Sequence, residues 1–212
     1  RRERSLMFAV AFKDFKDFCE IGMRFLGFGI TEMQMSIADY VQNGPKKRMV
    51  QAQRGEAKTT ITALYAVWRL IQDPRCRILI VSAGEDQSND IAVLIIRLIE
   101  QWSLMCWLRA DTSRGDRSSY EHYDVNRDLR RVEKSASVSS VGIKANLPGR
   151  RADLIIADDV ESITNSTTQV MRDDLLNRTK EFTAICTHGH ILYLGTPQTR
   201  ESVYKTLLSR GF

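Results

Sequence analysis

Three short apolar runs constrain this chain most: Arg77-Ile-Leu-Ile-Val-Ser82, Ala152-Asp-Leu-Ile-Ile-Ala157 and Ile191-Leu-Tyr-Leu194. They are too short for buried helices, rich in large aliphatic side chains and almost without polar alternation. Each therefore predicts a strand covered on both faces. Helical patterns flank and separate them, over Thr59–Ile71, Asp86–Trp102, Thr168–Cys186 and Ser202–Ser209. Apolar strands separated by helices predict an α/β fold, with a central, mainly parallel sheet flanked by helices. Two further strands are expected at Arg48–Gln53 and Ser137–Ile143.

Ahead of this pattern, residues 6–28 read as one helix with an apolar stripe of Phe8, Phe12, Phe15, Phe18 and Phe25, a packing face. Thr31 caps a second helix running to about Gln42, with Gln34 at the capping-box position, and Asn43-Gly44-Pro45 ends it. The division expected is a helical segment over 1–30 and one domain over 31–212. Residues 109–135 are polar and irregular, and composition does not decide their role.

The 43% hydrophobic and 27% charged content fits a soluble globular chain with no apolar run of membrane-spanning length. The basic start, Arg1 to Arg4, is followed by an apolar patch broken by Lys13, Asp14, Lys16 and Asp17, which excludes a secretory signal. The formal net charge of +5 suits an acidic partner, although Lys46–Arg48, Arg127–Lys134 and Arg150-Arg151 each also read as solvated faces. Cys19, Cys76, Cys106 and Cys186 form no C-x-x-C pair and are expected as free thiols in a reducing compartment. His188 and His190 flank a glycine and read as a turn into a strand, with no metal-ligand partner nearby in sequence.

Residues 52–59, Ala-Gln-Arg-Gly-Glu-Ala-Lys-Thr, carry the first chemical signal. A strand, a turn and then Lys-Thr opening a helix form a triphosphate cradle. Backbone N–H groups of Gln53, Arg54, Gly55, Glu56, Ala57 and Thr60 and the positive helix end attract phosphate oxygens, Lys58 reaches the β/γ-phosphates, and the Thr59 hydroxyl ligates Mg²⁺. The pattern G-x-x-x-x-G-K-[ST] is relaxed, because both glycine slots hold alanine, Ala52 and Ala57. Alanine resists the positive φ that such a turn demands.

The second signal is Leu154-Ile-Ile-Ala-Asp-Asp-Val-Glu161. A buried strand delivers acids to its C-terminal edge, where ligands bind in open α/β sheets. Asp158 would hold Mg²⁺ opposite Thr59, and a neighbouring carboxylate would orient and deprotonate the attacking water. Asp159 has the position for that task but is one methylene short of Glu. Glu161 has the length and sits in the loop. Ile191-Leu-Tyr-Leu-Gly-Thr-Pro-Gln198 is the third signal, a strand ending in a polar turn. Thr196 could bond the γ-phosphate or its water and report their loss to a moving part; alternatively it is a plain turn residue.

With these segments in order, the chain resembles the large terminase subunit of short-tailed double-stranded DNA bacteriophages. The matching stretches are Gln51–Thr59, Ile78–Ala83, Ser140–Ile143, Arg151–Glu161 and Tyr193–Thr199, within residues 31–212. The resemblance implies an ASCE-type, RecA-like P-loop NTPase domain that uses ATP and Mg²⁺ to thread double-stranded DNA into a procapsid. It also implies a homo-oligomeric ring, a pentamer, on the portal protein, with a small terminase subunit as partner. Action in the host cytoplasm and transiently on the procapsid follows, with no membrane partner. Gln34 lies where the family has an adenine-reading glutamine, so cap and adenine contact both remain open. Arg54 is a candidate sensor or arginine finger, with Arg150 and Arg151 behind it. The family's C-terminal RNase H-type nuclease has no counterpart before Phe212, so DNA cleavage is not expected of these residues. Two other classes stay in view. A non-catalytic nucleotide-binding assembly module is favoured by the two alanines, and a helicase-like ATPase would need a second RecA-like domain.

Overall fold

The computed structural model describes residues 1–51, 56–196, 202–209 and 211. The chain runs α1 (Arg2–Ala11), α2 (Phe15–Phe25), α3 (Glu32–Asn43), β1 (Lys47–Val50), α4 (Lys58–Gln72), β2 (Ile78–Ser82) and α5 (Glu85–Gln101). It continues with β3 (His122–Tyr123), β4 (Val138–Gly142), β5 (Leu154–Asp158), α6 (Ile163–Ser166), α7 (Gln169–Ile185), β6 (His190–Leu194) and α8 (Val203–Ser209). The part of the expected first strand beyond Gln51, and with it Ala52, Gln53, Arg54 and Gly55, lies outside the described residues.

The sheet has six strands in the order β1-β6-β5-β2-β4-β3, all parallel except the β3–β4 pair. Strand alternation sorts the core into two layers. Ile78, Ile80, Leu154, Ile156, Leu192 and Leu194 face a cluster built with α2, α3, α4 and α5. Leu79, Val81, Ile155, Ala157, Ile191 and Tyr193 face a second cluster with α7 and α8. Burial on both sides is why these strands read as continuous apolar runs.

The single N-terminal helix expected over 6–28 is instead two. Asp14 adopts an extended conformation and its side chain accepts from the Lys16 N–H at 2.9 Å, starting α2 afresh. The Trp68 Nε1–H and Gln72 Nε2 both donate to the Phe12 carbonyl, so the break is tied to α4. Phe15 and Phe18 are fully buried in the main core, whereas Phe25 lies at its margin, stacked on Trp102.

Residues 109–135 form a packed unit around two buried acids. Asp116 accepts from the Asp111 and Arg127 N–H groups and pairs with Arg130, and Asp124 takes the Arg117 guanidinium through both oxygens. Arginine holds Asp124 below the usual carboxylate range despite burial.

At the N-terminal edge of the sheet, Arg48 is completely buried and meets neutral acceptors. Its guanidinium donates to the Gln42 and Gly44 carbonyls, to Tyr65 Oη and to His190 Nδ1. Burial, with Arg69, Arg48 and Lys46 nearby, pushes the His190 imidazole down to about 4, so it stays neutral and accepts. His190 therefore opens β6 as a structural acceptor.

Candidate active site

Parallel pairing lines up one row across the C-terminal edge of the sheet: Val50 opposite Leu194, Leu194 opposite Asp158, Asp158 opposite Ser82, and Ser82 opposite Gly142. Two strand spacings, about 10 Å, separate the end of β1 from Asp158. The order matters because β6 lies between the strand that enters the 51–57 turn and the strand that ends in acid.

Lys58 is the first residue of α4 and Thr59 and Thr60 complete its opening turn. Its N-cap residue, Ala57, supplies no side-chain cap, which leaves the first N–H groups of the helix open to a ligand acceptor. Of the two glycine slots held by alanine, Ala57 lies within the described residues and Ala52 outside them. Ala57 occupies the left-handed region at φ 52, and its carbonyl accepts from the Ile61 N–H at 2.9 Å. An alanine therefore carries left-handed strain immediately before Lys58.

Asp158 is half-buried beside that helix start. Burial and the adjacent Asp159 push its carboxyl up to about 7, and the Lys58 ammonium acts in the opposite direction. Asp159 is the other non-glycine residue with positive φ among the described residues, at 41°. Its N–H donates to the Leu194 carbonyl at 2.9 Å and its Oδ1 accepts from the Thr196 N–H at 3.0 Å. The Gly195 N–H donates to the Val50 carbonyl at 3.2 Å, so the end of β6 is stitched to both flanking strands.

Glu161 is elsewhere engaged. It is 1% exposed, and its Oε2 accepts from Ser202 Oγ at 2.6 Å and from the Val203 N–H at 2.8 Å. Gln34 closes the α3 capping box, with its Oε1 accepting from the Thr31 N–H at 3.1 Å and its N–H donating to Thr31 Oγ1 at 3.2 Å. Arg150 and Arg151 precede β5 and lie at the opposite end of that strand from Asp158, about 20 Å away by strand rise. There they line a cavity of about 390 Å³ with Arg117, His122 and Lys134. Ser82, buried beside Asp158 with no hydrogen-bond partner for its hydroxyl among the described residues, escaped the sequence reading. Only the register reveals that neighbour.

The donor set fits Mg²⁺ bound with a nucleotide. Among the described residues no cluster of three His, Cys, Asp or Glu side chains could hold a metal alone. Mg²⁺ needs one or two protein oxygens and fills its octahedron with waters and substrate phosphates. Asp158, a poorly solvated carboxyl beside a second acid, is the oxygen that a cation would return to its ionised form.

The fold and this edge define the chain as a P-loop α/β domain. No protein-family model matches it. Over 187 residues, 86% of the chain, it is 39% identical to the large terminase subunit of Enterobacteria phage T3, and the match spans 31% of that relative's length. The fold is similar to the large terminase ATPase domain of Thermus phage P74-26, solved as an arginine-to-alanine variant. The TM-score is 0.55 at 18% identity, covering 88% of this chain and 72% of that one. It is also similar to the large terminase of bacteriophage HK97, with TM-score 0.62 at 11% identity, covering 93% of this chain and 40% of that one. The chain belongs to the phage large terminase family, and its fold resembles that of the solved Thermus phage ATPase domain.

Proposed function

We propose that this chain hydrolyses ATP with Mg²⁺ and drives double-stranded DNA into a phage procapsid, as the motor portion of a large terminase. The observation that carries this is the convergence of Lys58 and Asp158 on one sheet edge, close enough for the lysine to affect the acid's ionisation.

Lys58 binds the β/γ-phosphates and the N–H groups of 56–60 cradle them; Gln53, Arg54 and Gly55, outside the described residues, are the further phosphate contacts read from sequence. Thr59 and Asp158 would hold Mg²⁺, which would supply neutralisation of the phosphate charge. Asp159 keeps Oδ2 for the attacking water while Oδ1 is held by the Thr196 N–H. Thr196 thereby joins the water-orienting acid to the end of β6. We assign Gln34 to the α3 cap. Arg150 and Arg151 are too far from their own Asp158 to serve it, so a role for them belongs to a neighbouring copy in a ring or to DNA phosphates.

The expected partners are double-stranded DNA, the portal protein and the small terminase subunit, in the host cytoplasm and on the procapsid. Among the described residues no helix is long and apolar enough to cross a membrane. DNA contact through phosphates would fall steeply with salt and show little sequence preference. The test is steady-state ATP hydrolysis with and without DNA for the wild type and Lys58→Ala. Loss of turnover in the variant is expected, and near-wild-type turnover would overturn the assignment.

A further inference from the structure

Two acids two positions apart grip the two ends of one chain segment. Asp159 Oδ1 accepts from the Thr196 N–H, and Glu161 Oε2 accepts from Ser202 Oγ and the Val203 N–H. The grip closes through Tyr204, which is fully buried. Its Oη accepts from the Glu161 N–H at 3.4 Å, and its ring lies so close to Gly195 that a Cβ there would fall 2.4 Å from it. The turn after β5 thus holds the end of β6 with one carboxylate and the start of α8 with the other.

From this geometry we infer that Glu161 is a positioning residue, a latch that seats α8 against the acidic turn and carries the state of Asp159 and Thr196 to that helix. Three features separate it from a water-activating base. Its side chain is enclosed, one oxygen already takes two donors, and those donors are Ser202, just before α8, and Val203, its first residue, rather than the sheet-edge row. Its other oxygen, Oε1, is buried with no hydrogen-bond partner among the described residues. A buried acceptor left single makes the latch one that can be released at modest cost, unlike a fully satisfied carboxylate. The inference rests on the ATPase reading for its kinetic consequence and on hydrogen bonds alone for its structural one.

The test uses Glu161→Gln, Glu161→Ala and Ser202→Ala, read by ATP turnover and by hydrogen exchange of the α8 amides. Glutamine retains a carbonyl acceptor for Ser202 and Val203. Glu161→Gln should therefore keep kcat within about threefold of wild type, whereas loss of a general base costs about 100-fold or more. Glu161→Ala should lower kcat at nearly constant KM and speed exchange at Val203 to Leu207, with Ser202→Ala between, so that glutamine rescues what alanine loses. A 100-fold fall in kcat for Glu161→Gln with unchanged α8 exchange would overturn the latch. Should alanine prevent folding, the glutamine and Ser202 variants decide the matter. A wild type without turnover would be a failure of the ATPase reading, and the exchange measurement would still judge the latch: unchanged α8 protection in Ser202→Ala and Glu161→Ala refutes it.

Discussion

Asp158 and Lys58 lie within electrostatic reach of each other at the C-terminal edge of the sheet, although β2, α5, β3 and β4 separate them along the chain. Burial and Asp159 push the Asp158 carboxyl up to about 7, and Lys58 opposes that shift. An acid poised near neutrality beside a lysine and a helix start has a function when a cation and a triphosphate arrive.

Lys58→Ala should cut ATP turnover by about 100-fold or more, by the usual magnitude for losing a donor aimed at developing charge. Lys58 is only half-buried at a helix start, so thermal unfolding should change little. Turnover and melting curves measured together separate a lost ligand contact from a lost fold.

Asp158→Asn should abolish turnover while stabilising the ligand-free protein at neutral pH. A carboxyl raised from 3.8 to about 7 binds more protons folded than unfolded between those values, so its contribution to stability falls as pH rises through that window. His190 acts in the opposite sense. Its pKa is depressed from 6.5 to about 4, the unfolded chain binds more protons in that window, and stability is lost as pH falls through it. Asp158→Asn should therefore make stability rise more steeply from pH 4 to 6.5, and His190→Asn should flatten or reverse the slope. Denaturant unfolding across that range checks both signs.

Ala57→Gly should raise stability by up to about 1 kcal/mol, because glycine removes the penalty of a left-handed L-residue. Ala57→Val should lower stability and turnover together, since a β-branched residue resists φ 52 more strongly. Urea midpoints measure the first effect, and nucleotide affinity measures its reach into the site.

The buried strands were legible in sequence, because burial on both faces leaves an unmistakable apolar run, and Lys58 and Asp158 were legible as the start of a helix and the end of a strand. Several features were not. The phenylalanine stripe continues at helical spacing across Lys13-Asp14, so the α1–α2 break depends on one capping aspartate. β3 is two residues long and antiparallel, too short for any period. The acids Asp116 and Asp124 look solvated in a charge-crowded stretch, and only their arginine partners explain their burial. The placement of β6 between β1 and β5 and the Glu161–Ser202 contact are long-range choices that no local pattern encodes.

Gly195→Ala should displace Tyr204, since the added methyl would meet its ring at 2.4 Å. Tyr204 is fully buried, so α8 must shift or the core must open. A loss of about 1–3 kcal/mol by overpacking is expected in chemical denaturation.

The most direct measurement is a crystal structure with Mn²⁺ in place of Mg²⁺ and a non-hydrolysable ATP analogue, read by anomalous scattering. A metal peak between Thr59 Oγ1 and the Asp158 carboxylate, with the triphosphate against Lys58 Nζ, is the predicted result. A metal or nucleotide seated at any other edge of the sheet would contradict the shared site.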